Sequence, residues 1–440
     1  MSCKKNDGNK DVGSTCQCGA DEQVVTGDGY FLYGSNMGWY GDAWGDDKLA
    51  EILIGNPDKK VAGVGVTSLR PAMYDHFVED WGYDIRKETF AFYHSIGGRD
   101  HTIFLNEPAD KHRDKTKYDG KNESQIFANL YEPIHTNGDE INKNNYYAWY
   151  VYNVVKTYGQ YVKFWEVWNE PDFTYNWNAS QTWDKVNPNP SDLPNLYAPI
   201  QRYVRMLRIT YEVVKSLYPD SYVCVGGLGY PYFLDAVLRH SDNPADGSVN
   251  NDFPQTGGAW FDCLSYHIYP MYSLSKGNRN SDAAAAAVIN LKNEFNDVLK
   301  KYGYDGGKHP EKAWIITECN IPRKSIDGNI GSDEAQRNFM IKAAVACQRN
   351  DIRALYVYGA ADDQQYANAT DPYQMMGLYQ QITGQPYNVT PNQSGISWRT
   401  TSVLLRNHHY DKAASDALAL PATVDGAAFS DEDGNLTCVL

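Results

Sequence analysis

The sequence predicts a (β/α)8 barrel. Three observations carry that expectation: eight short apolar segments recur along the chain, longer helical stretches fall between them, and no glycine-rich phosphate turn follows the first segment. Alternation of this kind argues for βα units and a parallel sheet. A doubly wound open sheet, the rival arrangement, usually carries that phosphate turn. The chain has 440 residues, whereas a barrel needs about 250, so long loops and extra terminal elements are expected.

The predicted strands are residues 29–33, 61–69, 101–105, 162–168, 222–225, 261–268, 313–317 and 353–358. Helical stretches are expected at 146–158, 196–217, 283–302 and 333–349, the last with Ser332 as N-cap. Long polar connections occupy 106–145, 172–194, 271–281 and 361–395. Each follows a strand, which in a barrel places it on the C-terminal face where sites form.

The ends differ in texture. Residues 1–28 are polar, rich in Lys, Asn, Asp and Gly, and read as a tether. Ser2-Cys3 followed by Lys4-Lys5-Asn6-Asp7-Gly8 resembles the start of a mature bacterial lipoprotein, which implies a lipid anchor at Cys3 and a place at the cell surface, in the periplasm or outside the cell. Cys16-Gln17-Cys18 is too close for a zinc site. Residues 29–395 are assigned to the barrel and 396–440 to the beginning of a small β-sandwich, with Asp433-Gly434 as a hairpin turn and a returning strand from Leu436. The sequence stops inside that strand, so a truncated piece of a longer protein is expected.

Composition narrows the partners. A formal net charge of -15 argues against nucleic acid, because phosphate binding needs basic surface. Many of the 34 tyrosines and 11 tryptophans lie beside Asn, Asp and Gly, as in Gly38-Trp39-Tyr40-Gly41. Rings with a polar handle suit half-wet surfaces such as those that stack on sugars, although they would equally fill a core rim. The histidines and cysteines show no metal-ligand spacing, and neither a metal nor a cofactor is expected.

Two carboxylates stand out. Glu170 ends the fourth strand in Trp168-Asn169-Glu170-Pro171, and Glu318 ends the seventh in Thr317-Glu318-Cys319-Asn320. A carboxylate directly after an apolar strand is costly unless paired or put to use. Two carboxyl groups about 5 Å apart suffice to cleave a glycoside with retention of configuration. Glu166 shares a side of its strand with Glu170 and is expected to be a paired core carboxylate. Asn106-Glu107-Pro108 repeats three of the letters at strand three; Glu107 reads as a loop residue or a distal sugar contact, with a lesser claim to be the acid/base.

On these residues the chain resembles clan A of the glycoside hydrolases, and within it families 5 and 39. The resemblance covers roughly residues 29–395. It implies that Glu170 is the acid/base, that Glu318 is the nucleophile, and that Asn169 binds the sugar 2-hydroxyl. It further implies substrate-side roles for Arg70, which ends strand two near the nucleophile, and for His267 and Tyr269 of Ser265-Tyr266-His267-Ile268-Tyr269-Pro270. Tyr269 would orient the nucleophile and His267 would contact substrate. One position departs: strand eight reads Leu355-Tyr356-Val357-Tyr358-Gly359, so Tyr358 stands where the clan has a tryptophan floor. Glu170, flanked by Trp165 and Trp168, is expected to be desolvated enough to stay protonated, and Glu318, beside Arg70 or Tyr269, to be ionised.

The expected function is that of a retaining hydrolase acting from within on a β-linked polysaccharide or oligosaccharide. The alternatives are an exo-acting β-xylosidase- or β-galactosidase-like enzyme and a surface glycan-binding protein without the reaction.

Overall fold

The computed structural model describes residues 30–138, 140–384 and 389–440. The predicted tether, with Cys3, Cys16 and Cys18, lies outside the described residues. Eight parallel strands form one sheet: β1 (Leu32–Asn36), β2 (Ser68–Arg70), β3 (His101–Leu105), β4 (Val162–Val167), β5 (Tyr222–Val225), β6 (Cys263–Ile268), β7 (Ala313–Cys319) and β8 (Ile352–Val357). Their order is β2-β1-β8-β7-β6-β5-β4-β3, and β1 pairs with both β2 and β8. Helices cover the outside. They include α4 (Tyr146–Tyr158), α6 (Ile200–Leu217), α8 (Ser281–Lys301) and α9 (Asp333–Arg349). Among the described residues no helix is long and apolar enough to cross a membrane.

Strand periodicity places the core in two shells. On β4, Trp165 and Val167 join the large cluster beneath the helices, whereas Phe164 faces inward. The barrel floor is apolar: Leu32, Phe164, Tyr222, Cys224, Cys263, Ile315 and Ala354 pack around Tyr356. One layer higher the Tyr356 hydroxyl lies 2.7 Å from both Ser68 and Thr102. Polarity therefore rises toward the C-terminal ends of the strands.

The seam between β2 and β3 is closed by side chains. A single bridge joins Ala72 to Phe104. Beneath it the Leu69 N–H donates to His101 Nδ1 at 3.0 Å, taking the place of a strand carbonyl. Only a neutral imidazole can accept there. Burial, helped by nearby His94, pushes the His101 pKa down to about 3.

Helices not assigned individually from the sequence are α1 (Asp46–Ile54), α2 (Asp75–Trp81), α3 (Lys87–Ser95) and α7 (Pro231–Arg239), while α10 (Gln393–Leu405) begins within the connection expected at 361–395. A four-residue turn, α5, spans Trp177–Ser180. The strands at 101–105 and 222–225 and the helices at 146–158 and 333–349 match the prediction to the residue. The first strand begins three residues late. Tyr30 is held elsewhere, stacked on His409 at 4.6 Å and hydrogen-bonded to Glu432 at 2.6 Å. The second strand is far shorter than 61–69. Gly63 and Gly65 take positive φ, and the amides of Val64 and Val66 both turn back to the Leu53 carbonyl on α1. Helix α10 runs across the expected boundary at 395/396. Beyond it β9 (His409–Asp411), α11 (Lys412–Ala417), β10 (Ala427–Ser430) and β11 (Leu436–Val439) build one three-stranded antiparallel sheet. The turn at Asp433-Gly434 joins β10 to β11, with Gly434 at φ +81°.

The seam makes stability depend on pH. The unfolded imidazole takes up a proton below about pH 6.5, whereas the folded one does so only near its pKa of about 3. Stability is therefore lost as pH falls through that window, by up to about 4–5 kcal/mol. Urea unfolding at a series of pH values should show a shallower fall for His101→Asn, whose carboxamide oxygen can also accept the Leu69 N–H without titrating.

Candidate active site

The site is built on Arg70 at the end of β2. Its side chain is 1% exposed, and its donors reach three other strands. Nε donates to Glu166 on β4 at 2.6 Å. One terminal nitrogen donates to Glu318 at 3.0 Å and to Asn36 at 3.1 Å, and the other to Asn169 at 2.7 Å. Removing one partner of a buried ion pair of this kind costs about 3–5 kcal/mol. Glu166 is the paired core carboxylate expected from its position; it also accepts from Ser265 at 2.6 Å and Thr317 at 2.7 Å. Arg70 thus ties the ends of β1, β4 and β7 together beneath the carboxylates.

Glu318 is held by Arg70 on one oxygen and by the Tyr269 hydroxyl on the other, at 2.6 Å. Its side chain is 13% exposed, whereas that of Glu170 is 31% exposed. One carboxylate oxygen of Glu170, one ring nitrogen of His267 and one carboxylate oxygen of Glu318 lie within 4.8 Å of one another. Two residues 148 positions apart in the chain thereby share one small space above the barrel.

Local backbone geometry raises Glu170 into that space. Trp168 and Glu170 both sit at positive φ, +76° and +47°. The turn is clamped by the Glu170 N–H on the Gly226 carbonyl at 2.6 Å and by Asn195 Nδ2 on the Glu170 carbonyl at 2.9 Å. Such strain persists only where the surroundings over-determine it. Gly226 and Gly227 after β5 supply the room: a Cβ at Gly226 would meet the Val167 carbonyl at 2.4 Å, and one at Gly227 would meet His267 Nε2 at 2.2 Å. Asp172, just beyond, accepts from the Gly229 and Tyr230 amides at 2.8 Å. Burial raises its pKa to about 7.

His267 sits between Glu170 and Thr317. Both its ring nitrogens are taken within the protein, Nδ1 by Glu170 at 2.8 Å and Nε2 by Thr317 at 3.0 Å. The single Thr317 hydroxyl hydrogen is used on Glu166, so Thr317 must accept from Nε2–H. That leaves one proton between Nδ1 and Glu170. Burial works against the His267 cation, but Glu318 and Glu170 outweigh it and hold its pKa above the usual range. Burial likewise favours neutral Glu170, yet the His267 hydrogen bond and charge, with Arg70, outweigh it and hold its carboxyl below the usual range. These directions run against the expectation that Trp165 and Trp168 keep Glu170 protonated: Trp165 faces the helices, and the two carboxylates favour the shared proton on His267.

The Asn169 oxygen faces Arg70, which can only donate, so its amide group turns outward. Tyr358 stands at the end of β8 near the carboxylates, packed edge-on against Tyr269 at 5.6 Å and Tyr373 at 5.8 Å. Burial and then Glu318 push its pKa up to about 12. The sequence reading missed Asn36, because β1 was placed three residues early. It also missed Tyr373, which sits in a 3-10 turn (Pro372–Met375) whose Asp371–Gln374 capping box is a legible signal. Among the described residues two trios have the spacing of metal ligands, Glu170–His267–Glu318 and Asp75–Glu79–His112. A protein cation already sits in each, Arg70 on Glu318 and Lys111 on Glu79 at 2.6 Å.

No protein-family model matches the chain, and no curated protein matches it by sequence. Solved structures do match by fold. A glucosidase from Croceicoccus marinus superposes with a TM-score of 0.53 at 14% identity, over 94% of this chain and 75% of that one. The catalytic domain of GH30 xylanase C from Talaromyces cellulolyticus superposes with a TM-score of 0.51 at 12% identity, over 94% and 84%. At such identities these likenesses establish a shared barrel fold.

The proton assignment is directly measurable. Nitrogen-15 NMR of the free protein should show His267 still protonated on both ring nitrogens above pH 6.5, the ordinary midpoint. In Glu170→Gln the midpoint should fall, because one of the two anions that hold the cation is gone.

Proposed function

We propose that this protein is a retaining glycoside hydrolase acting on β-linked oligosaccharides or polysaccharides, with Glu170 as acid/base and Glu318 as nucleophile. One observation carries the reading: carboxylate oxygens from the ends of β4 and β7 lie within 4.8 Å of each other. Retaining enzymes place their carboxyl groups about 5–5.5 Å apart, and inverting ones about 6.5–9.5 Å to admit a water. The short gap supports double displacement.

Each carboxylate suits one role. Glu318, the more covered, has one oxygen on Arg70 and the other on Tyr269, which holds it for attack on the anomeric carbon. Glu170, the more open, faces the leaving group. Its proton comes from His267: as substrate excludes water, the Glu170 anion loses solvation and the proton shifts from Nδ1 to Oε1 across their 2.8 Å hydrogen bond. Glu170 then protonates the departing glycosidic oxygen while Glu318 forms the glycosyl bond. In the second half-reaction Glu170 takes a proton from water, and the hydroxyl displaces Glu318. The Asn169 amide, turned outward by Arg70, is placed to donate to the sugar 2-hydroxyl. Long loops on the C-terminal face favour cleavage within a chain. A polymeric substrate of this kind belongs outside the cell, in keeping with the proposed lipid anchor at Cys3.

Aryl β-glycosides test the assignment. Glu170→Gln and Glu318→Gln should each lose at least about 10²–10⁴-fold in kcat/KM, and NMR of early product from the parent should show the β anomer. Azide separates the roles. With Glu170→Ala it should yield a β-glycosyl azide by capturing the glycosyl-enzyme, and with Glu318→Ala an α-glycosyl azide by direct displacement. An initial α product from the parent would sink the retaining mechanism.

The pH profile tests the proton source. The last proton of the parent site leaves the raised His267, so the alkaline limb should lie above about pH 6.5. In His267→Asn that proton leaves a carboxyl group instead, and the limb should move to lower pH.

A further inference from the structure

A cavity lies beside the carboxylates, on the side of the loops after β3 and β4. It measures about 510 Å3, and Glu107, His76, Gln125, Trp168, Asn169 and Asn195 are among its lining residues. This volume falls in the usual range of ligand sites, about 300–1,000 Å3. Asn169 belongs to both spaces, since it lines the cavity and is held by Arg70 beside Glu318. Asn195 joins them again, donating to the Glu170 carbonyl.

The cavity wall is built rigidly. Glu107 lies at φ +49°, a strained position for a side chain of its size. The turn is held by the first amides of α2: the Asp75 N–H donates to the Asn106 carbonyl at 3.2 Å and the His76 N–H to the Glu107 carbonyl at 3.3 Å. The side chains of His76 and Glu107 meet at 3.3 Å while staying about half exposed, at 47% and 51%. Trp168 is fixed by its indole N–H on the Asn195 carbonyl at 3.0 Å. Acceptors (the Glu107 carboxylate and the Asn195 amide oxygen) and donors (His76 and the Gln125 and Asn169 amides) thus line one space. A hydroxyl both donates and accepts, so a polyhydroxylated ring matches such a mixture. Arg113 lines the same space, so the cavity carries charge of both signs.

We infer that this cavity is a second sugar subsite, which takes a further sugar unit of the same glycan beyond the one at Glu170 and Glu318, with Glu107 and Gln125 as specificity-determining residues. The inference rests on the proposed hydrolase reading and sharpens it from a glycosidase to an enzyme that grips more than one ring.

The experiment compares the parent with Glu107→Ala/Gln125→Ala on aryl β-glycosides of single sugars and of the trioses in the gluco-, xylo- and laminari-series. The ratio of kcat/KM for triose over monosaccharide should fall about ten-fold in the variant, with its melting temperature kept. An unchanged ratio, or an equal loss on both substrates, overturns the subsite. If the parent cleaves none of these, calorimetric titration with the corresponding hexasaccharides decides. Binding weakened by the double substitution upholds the subsite and rejects the hydrolase; binding that the substitution leaves unaltered, or no binding by the parent, rejects both.

Discussion

Arg70 carries a charge that water cannot reach, and nearly everything else at the mouth of the barrel is arranged around that fact. A guanidinium so buried must spend its donors on protein acceptors, and here they come from β1, β4 and β7. One cation faces two carboxylates, Glu166 and Glu318, so the group remains anionic unless others help. Ser265, Thr317, Tyr269 and His267 supply that help. The two carboxylates that face each other across the cleft inherit their spacing from this buried group. Glu318 is tied to it directly, and Glu170 through Asn169, its neighbour in the chain.

The same network decides where protons reside. Thr317 can give its hydrogen to Glu166 only by accepting one from His267, and that fixes the imidazole tautomer from behind. The front nitrogen then shares a single proton with Glu170. An acid need not be stored on the carboxyl group that uses it; it can be held one hydrogen bond away until the surroundings dry out. Burial of Glu170 by tryptophan, the simpler account, fails because strand alternation turns Trp165 toward the helices.

Much of the barrel was legible in the sequence where local signals are strong. The strand at 101–105 and the helix at 333–349 are bounded by changes of periodicity or by a capping serine, and both appear as expected. The ends of β4, β6 and β7 were legible too, and with them Glu170, Asn169, His267, Tyr269 and Glu318. What escaped depends on partners distant in sequence. Asn36 was hidden because Tyr30 is drawn away to the C-terminal sheet, which shifts the first strand. The role of His267 was hidden because its second partner, Thr317, lies fifty residues later on another strand. The short β2 was hidden because two glycines with positive φ return the chain to a helix carbonyl, which a run of valines conceals.

Tyr30 fixes an orientation as well as a register. It enters the barrel at the floor, stacked on His409 and bonded to Glu432, whereas the facing carboxylates stand at the opposite rim. Whatever holds the polypeptide by the side preceding residue 30 therefore holds it by its base. A tether attached there would leave the open mouth facing away from its anchor.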